Sequence, residues 1–223
     1  MRNIGLETLG GPLRQVSDAI ALSPGLVLQG TRMRYKRNEE IFGEGERADY
    51  VYRVVSGAVR TIRFSSDGRR QILGFHLPGD VFGIEAANTH GLSAEAIADA
   101  EVALVRRSLI DSAARQDPAA AGALIGLMQR ELQSAQVHAL VLGRRGAGER
   151  VAAFLLQLAD RVAARCEIDL PMSRADIADY LALTIETVSR AFTQMERDRT
   201  ISLPSSRHVV VRDRCALEML EAA

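Results

Sequence analysis

Residues 173 to 212 hold the pattern that most restricts how this chain can fold. Ser173-Arg174-Ala175-Asp176 fits a capping box, in which the serine caps backbone amides and Asp176 reaches back to the cap. Ile177, Ala178 and Leu181 then form the inner face of a short helix ending near Leu181. Ala182–Leu183 leaves room only for a tight turn, and Thr184 is placed to cap a second helix running to about Asp198. Ile185, Val188, Phe192 and Met195 recur at spacings of 3, 4 and 3, which predicts the buried stripe of that helix. Two short helices so closely joined, with the small Ala178 where they cross, predict a helix-turn-helix. A larger side chain at the crossing would push the two axes apart. Ile201–Leu203, a turn at Pro204-Ser205-Ser206 and His208–Val211 add a β-hairpin wing, so the unit reads as a winged helix.

The outer face of the second helix carries Glu186, Ser189, Arg190, Thr193 and Arg197. In a helix-turn-helix the N-terminal part of this helix meets base edges in the major groove. Arginine can donate two hydrogen bonds to guanine, and glutamate can accept one from cytosine. The blander reading makes Glu186 and Arg190 an i, i+4 surface ion pair worth a few tenths of a kcal/mol. The winged-helix surroundings favour base reading, and they make double-stranded DNA the expected partner.

Upstream, Asp117–Pro118 starts a helix that runs to about Leu142, where Gly143, Gly146 and Gly148 interrupt the pattern. Ile125, Met128, Leu132, Ala135, Ala139 and Leu142 recur along it at spacings of 3, 4, 3, 4 and 3. This is an uncharged heptad seam. Leu124, Leu127, Leu140 and Val141 lie off it, so one helix carries two apolar surfaces. One is expected to pack on its own chain and the other on a second copy, which predicts a homodimer. Gly143–Gly148 reads as a hinge, followed by a helix from about Glu149 to Arg165 with Val151, Phe154, Leu155 and Leu158 facing inward. From about Gly25 to Arg107 the chain reads instead as short strands punctuated by glycine, the pattern of a compact antiparallel sandwich or barrel. Ala94 to Arg106 is read as two strands meeting near Asp99, despite its alanine content.

Composition excludes more than it identifies. Apolar residues make up 47% and charged residues 25%, as in an ordinary globular protein, and no run approaches the roughly 18 apolar residues of a membrane span. The first residues do not read as a signal peptide, so a cytoplasmic location without membrane association is expected. Cys166 and Cys215 are too far apart for a metal knuckle and are expected to be reduced, each a candidate redox-active thiol. The four histidines are scattered, and no metal site is expected. With 28 basic and 28 acidic residues, total charge says nothing about a nucleic-acid partner. No nucleophile–base pair or phosphate-binding glycine loop is present in the sequence, so an enzyme is not expected.

Taken whole, the chain resembles the CRP/FNR family over roughly residues 25 to 215. Phe42-Gly43-Glu44-Gly45-Glu46, Tyr50-Val51-Tyr52-Arg53-Val54-Val55-Ser56-Gly57 and Pro78-Gly79-Asp80-Val81-Phe82-Gly83 resemble the framework of its β-roll. Leu183-Thr184-Ile185-Glu186-Thr187-Val188-Ser189-Arg190 is similar to the recognition helix of its FNR/FixK branch. The resemblance implies an α+β fold: a cyclic-nucleotide-type antiparallel β-roll over 1–116, a dimerisation helix over 117–143, and a winged-helix DNA-binding domain over 144–223. It implies that Glu186, Ser189 and Arg190 read a TTGA-type half-site, with Ser173, Thr184, Thr187 and Arg197 also at the DNA. It further implies RNA polymerase as a partner, and an activator by family habit.

Departures from the family narrow the branch. Cyclic-AMP binders of the family hold their ligand with a glutamate just after the position of Gly83 and with an Arg-Ser pair. Here Ile84 and Leu92-Ser93 stand instead, and no arginine lies between Arg70 and Arg106. The oxygen sensors carry N-terminal cysteines for an iron–sulfur cluster, whereas the first cysteine here is Cys166. The remaining resemblance is to FixK-like members, which need no obvious cofactor, and none is expected. The alternative is a ligand- or haem-gated regulator of the same family, with His76 or His90 as the candidate iron ligand.

Overall fold

The computed structural model describes residues 17–161 and 166–222. Strands begin earlier than their sequence pattern does. β1 (Ser17–Ser23) pairs antiparallel with β2 (Leu26–Tyr35), and only Ile20 and Leu22 of β1 signal its buried face. β3 (Glu40–Phe42), β4 (Tyr50–Ser56), β5 (Val59–Phe64), β6 (Arg70–His76) and β7 (Val81–Phe82) follow, then β8 (Ser93–Ala96) and β9 (Ala100–Arg106). The last two are the strands expected on either side of Asp99. They form a five-stranded sheet in the order β1-β2-β9-β4-β7 and a four-stranded sheet in the order β3-β8-β5-β6, closed on each other as a roll. Gly57 marks the break between β4 and β5. Its φ is 78°, and a Cβ there would lie 2.3 Å from the Asp99 carbonyl oxygen.

The two sheets enclose Tyr35, Phe42, Tyr52, Val54, Val59, Phe82 and Val102, with Phe42, Tyr52 and Phe82 forming an aromatic stack. On the outer face of the larger sheet, Ile20, Leu26, Val51 and Val105 pack against Ile110 of α1 (Arg107–Gln116) and Ala120 and Leu127 of α2 (Pro118–Gly143). The Asp117 side chain accepts the Ala119 amide at 2.8 Å, with Pro118 in the first turn, so α2 begins where the sequence places it.

α3 (Ala147–Arg161) follows after three residues, inside the Gly143–Gly148 segment expected to be a hinge. Arg150 Nε donates to the Arg144 carbonyl at 2.9 Å and Gly146 N–H to Glu149 at 3.0 Å, so this connection is held in place. The expected continuation of α3 to Arg165 lies outside the described residues. Val151 to Leu156 are buried on every side, beyond the inward face that periodicity picks out, because the helices at 185–197 and 214–222 and the C-terminal sheet surround the helix.

The remainder is β10 (Glu167–Asp169), α4 (Arg174–Leu181), α5 (Ile185–Arg197), β11 (Ile201–Ser205), β12 (His208–Val211) and α6 (Arg214–Ala222). The wing is a three-stranded sheet in the order β10-β12-β11, with a two-residue turn at Ser206–Arg207. Pro204 was expected in the turn but lies within β11, where the pairing register shifts between Ser202 and Ser205. β11 is the edge strand, so a residue without an N–H is tolerated there. A single apolar cluster runs from Ile62, Ile72 and Phe75 of the roll into Phe154, Leu181 and Phe192, so the roll and the winged helix share a core.

Candidate nucleic-acid interface

Each helix of the helix-turn-helix starts on the cap its sequence predicts. Ser173 Oγ accepts the Asp176 amide at 3.1 Å and donates to Asp176 Oδ2 at 2.7 Å, while the Ser173 amide donates to Asp176 Oδ2 at 3.0 Å. Ala182 closes the turn in the left-handed region at φ 52°, secured by Leu183 N–H to the Ala178 carbonyl at 2.9 Å. Thr184 Oγ1 accepts the Thr187 amide at 3.2 Å and lies 2.9 Å from Thr187 Oγ1, so both threonines are occupied in starting α5. Val188, Phe192 and Met195 lock that helix onto its neighbours.

Opposite them, Glu186, Ser189, Arg190, Thr193 and Arg197 are exposed along one side of α5. No carboxylate of the described residues lies within 4 Å of the Arg190 guanidinium, so the surface ion pair with Glu186 does not form. The Glu186 carboxyl sits below its ordinary range, chiefly because its own backbone amide donates to it, then through Thr184 and the charge of Arg190. It therefore stands as an acceptor in the first turn beside a free arginine fork. Arg197 is about 16 Å further along the axis at 1.5 Å per residue, too far to share a base step with Glu186.

Ile185 departs from the expected buried stripe: it is 48% exposed. Three-residue spacing puts it in line with Val188, but the first residue of α5 extends past the elements that cover the rest of the stripe. An apolar side chain thus stands next to Glu186 at the N-terminal end of α5. Arg174 was also not singled out by sequence. Its guanidinium carbon lies 3.3 Å over the Phe192 ring, and its Nη1 has no hydrogen-bond partner among the described residues. Burial lowers its pKa to about 10, so the group remains cationic at neutral pH. Arg207 is exposed at the tip of the wing.

The first helix of the motif is held from behind. Arg60 of β5 donates to Asp176 at 2.8 Å and to Glu95 of β8. Arg70 of β6 reaches both Asp176, at 2.9 Å, and Asp179, at 2.8 Å. Burial acts to raise the Asp176 carboxyl, but the Ser173 hydrogen bonds and the two guanidinium charges outweigh it, and the group is held ionised below its ordinary pKa. At the other end of α4, the His138 ring of α2 stacks on Tyr180 with centroids 3.9 Å apart and planes within 1°. His138 Nε2 donates to the Tyr180 carbonyl at 2.8 Å.

The heptad seam of α2, the expected dimer contact, lies uncovered on the single chain. Ile125, Met128 and Leu132 are 56%, 52% and 60% exposed, Ala135 and Ala139 are exposed and Leu142 half-buried, while Leu127 and Val141 pack inward. Cys166, just before β10, and Cys215, in α6, are free thiols at the surface. His90 is buried against Phe42, with centroids 3.7 Å apart, and His76 stacks on Phe82 beside Thr61. No group of three potential metal ligands occurs among the described residues. A cleft of about 770 Å³ lies between the roll, α2 and α3, and Ile84, Leu92, His76 and Glu131 contribute to its walls. Ser93 Oγ is engaged with the Glu44 amide at 2.9 Å. No helix of the described residues is long and apolar enough to cross a membrane.

Residues 149–220 match the model of the Crp-like helix-turn-helix domain, and residues 32–117 match that of the cyclic nucleotide-binding domain. The chain is 50% identical over 198 residues to the nitrogen fixation regulation protein FixK of Azorhizobium caulinodans, covering 86% of this chain and 80% of that protein. It is 44% identical to the transcriptional activatory protein AadR of Rhodopseudomonas palustris, over 76% of this chain and 72% of that one. Among solved structures, FixK2 from Bradyrhizobium japonicum superposes with a TM-score of 0.84 at 50% identity, covering 88% of this chain and 99% of that one. With both domains matched and these relatives aligned across most of its length, the chain belongs to the CRP/FNR family of transcription regulators, on its FixK-like branch.

Proposed function

We propose that the protein is a homodimeric, sequence-specific transcription activator that binds a TTGA-N6-TCAA-type palindrome and serves low-oxygen or related gene control. Its three parts are the roll over 1–116, the dimerisation helix over 117–143 and the DNA-binding domain over 144–223. The observation that carries this reading is the face of α5, where Glu186, Ser189 and an unpaired Arg190 stand together on a capped helix. Arg190 reads guanine, Glu186 accepts from the paired cytosine, and Ile185 lies against a thymine methyl. Ser173, Thr184 and Thr187 present the helix starts to the backbone, while Arg197 and Arg207 contact phosphates. Ile125, Met128, Leu132, Ala135, Ala139 and Leu142 pair across the two-fold axis. The protein works in the cytoplasm with RNA polymerase, uses no cofactor and catalyses no reaction.

Fluorescence anisotropy in air, without added ligand, tests this on the palindrome and on a scrambled duplex at the same salt. Selective binding to the palindrome is expected, and equal binding to both refutes base reading, since phosphate contacts alone give salt-dependent affinity for any duplex. A second reading is favoured by the cleft lined by His76 and Glu131, which has room for a small effector. A Soret band in freshly purified protein, or binding that requires an added small molecule, would put that ligand-gated reading first.

A further inference from the structure

A dimeric reader of a palindrome must present its two recognition helices about one helical turn apart, roughly 34–36 Å. That separation, and the angle at which each helix enters its groove, follow from how the helix-turn-helix sits relative to the dimer seam of α2. α5 touches the rest of the chain largely through α4 and α3, and α4 is gripped at both ends. At its start Asp176 receives Arg60 and Arg70, and Asp179 receives Arg70. Near its end Tyr180 is stacked and hydrogen-bonded by His138 of α2. The three-residue connection between α2 and α3, itself hydrogen-bonded, leaves little other freedom.

We propose that Arg70, together with Arg60, is a positioning residue for DNA recognition: by holding Asp176 and Asp179, the roll aims the reading head and so sets the half-site spacing the dimer accepts. This rests on the palindrome reading above and adds the determinant of spacing to it. The two arginines touch no DNA. Their effect passes through α4 to α5, whose Val188 and Phe192 are packed in the core that α4 shares. Changing the spacer by one base pair rotates one half-site by about 34° and moves it about 3.4 Å, from the same one-turn geometry. A rigidly aimed head cannot follow that change, whereas a loosely held one can.

Arg70 and Asp179 are the members to alter, because both are partly exposed and Asp176 keeps Arg60 when Arg70 is neutralised. The full-length protein, its Arg70→Gln and Asp179→Asn variants, and the charge-conserving Arg70→Lys are titrated by anisotropy against TTGA/TCAA palindromes with spacers of five, six, seven and eight base pairs and against a scrambled duplex. The wild type is expected to favour six over five or seven by about tenfold or more, on the scale of lost base contacts. Arg70→Gln and Asp179→Asn are expected to narrow that ratio below about threefold, with Arg70→Lys in between. A merely structural loss lowers the active fraction equally on every duplex and leaves the ratio alone, so variants that keep the wild-type ratio overturn the proposal. Variants that bind the six-base spacer more tightly than the wild type overturn it too, since the ion pairs would then restrain the head rather than aim it. If the wild type binds the scrambled duplex as well as the palindromes, the palindrome reading itself fails and the inference with it.

Discussion

Leu132→Ala tests the dimer seam with a magnitude that the single chain supplies. Leu132 is 60% exposed, so its side chain contributes little to the fold of one protomer. Fully burying a leucine is worth about 1.5–3 kcal/mol, and the six-tenths that remain exposed correspond to about 1–2 kcal/mol on association. A two-fold interface counts the residue twice, giving about 2–4 kcal/mol for the dimer. The dimer Kd is therefore expected to weaken by about 30- to 700-fold. Alanine is also a slightly better helix former than leucine, so α2 itself is not weakened. Sedimentation velocity over a dilution series, with labelled protein reaching nanomolar concentrations, reads the change directly. The wild type is expected to be dimeric at micromolar concentration without ligand. A variant whose dimer Kd stays within threefold of the wild type would show that the seam is not the interface, and the homodimer argument would then lose its basis.

Arg190→Ala is expected to cost about 1–3 kcal/mol on the palindrome and far less on non-specific DNA, measured by competition; equal losses on both would place Arg190 on phosphate. Burial holds the His76 pKa down to about 4, with Asp80 and Arg161 pulling in opposite directions. The folded ring thus stays neutral while the unfolded chain takes up a proton below about 6.5, and stability should fall by about 3 kcal/mol between pH 6.5 and 4. Urea unfolding against His76→Gln isolates that contribution, and parallel pH profiles would contradict it. Cyclic AMP at 1 mM should leave the Tm unchanged, whereas a ligand present at a hundred times its Kd would add about 2.7 kcal/mol. A rise of several degrees would mean that Ile84 and Leu92 do not close the pocket to it.

What could be read from sequence was what local chemistry determines. Capping by Ser173 and Thr184, the break at Gly57 and the start of α2 at Pro118 each depend on residues within a few positions, and each stands where expected. Periodicity failed at an end: it assigned Ile185 to the buried stripe because it cannot tell where the covering elements stop. Local pattern places Pro204 in a turn because proline usually sits in one, although an edge strand tolerates it equally. β10 is three residues long and draws its strand character from its partner β12. The grip on α4 was not legible at all. Arg60 and Asp176 are 116 residues apart, and no local pattern pairs an arginine on a strand with an acid in a capping box.

The position of Asp176 also bears on what the roll is for. Within the motif it is an ordinary third residue of a capping box, sufficient to start α4 without help. Yet it is buried, and its second oxygen faces two guanidinium groups from β5 and β6. A carboxylate so placed needs those charges, because a buried ion without partners is strongly destabilising. The helix-turn-helix is thereby tied to the roll at the residue that also begins its first helix, and motion of one against the other must break charged contacts. Ile84 and Leu92 stand where, by the family resemblance, cyclic-nucleotide binders carry charge. If the proposal above holds, Arg60 and Arg70 aim α5 through this carboxylate, and the spacer preference of Arg70→Gln and Asp179→Asn decides it.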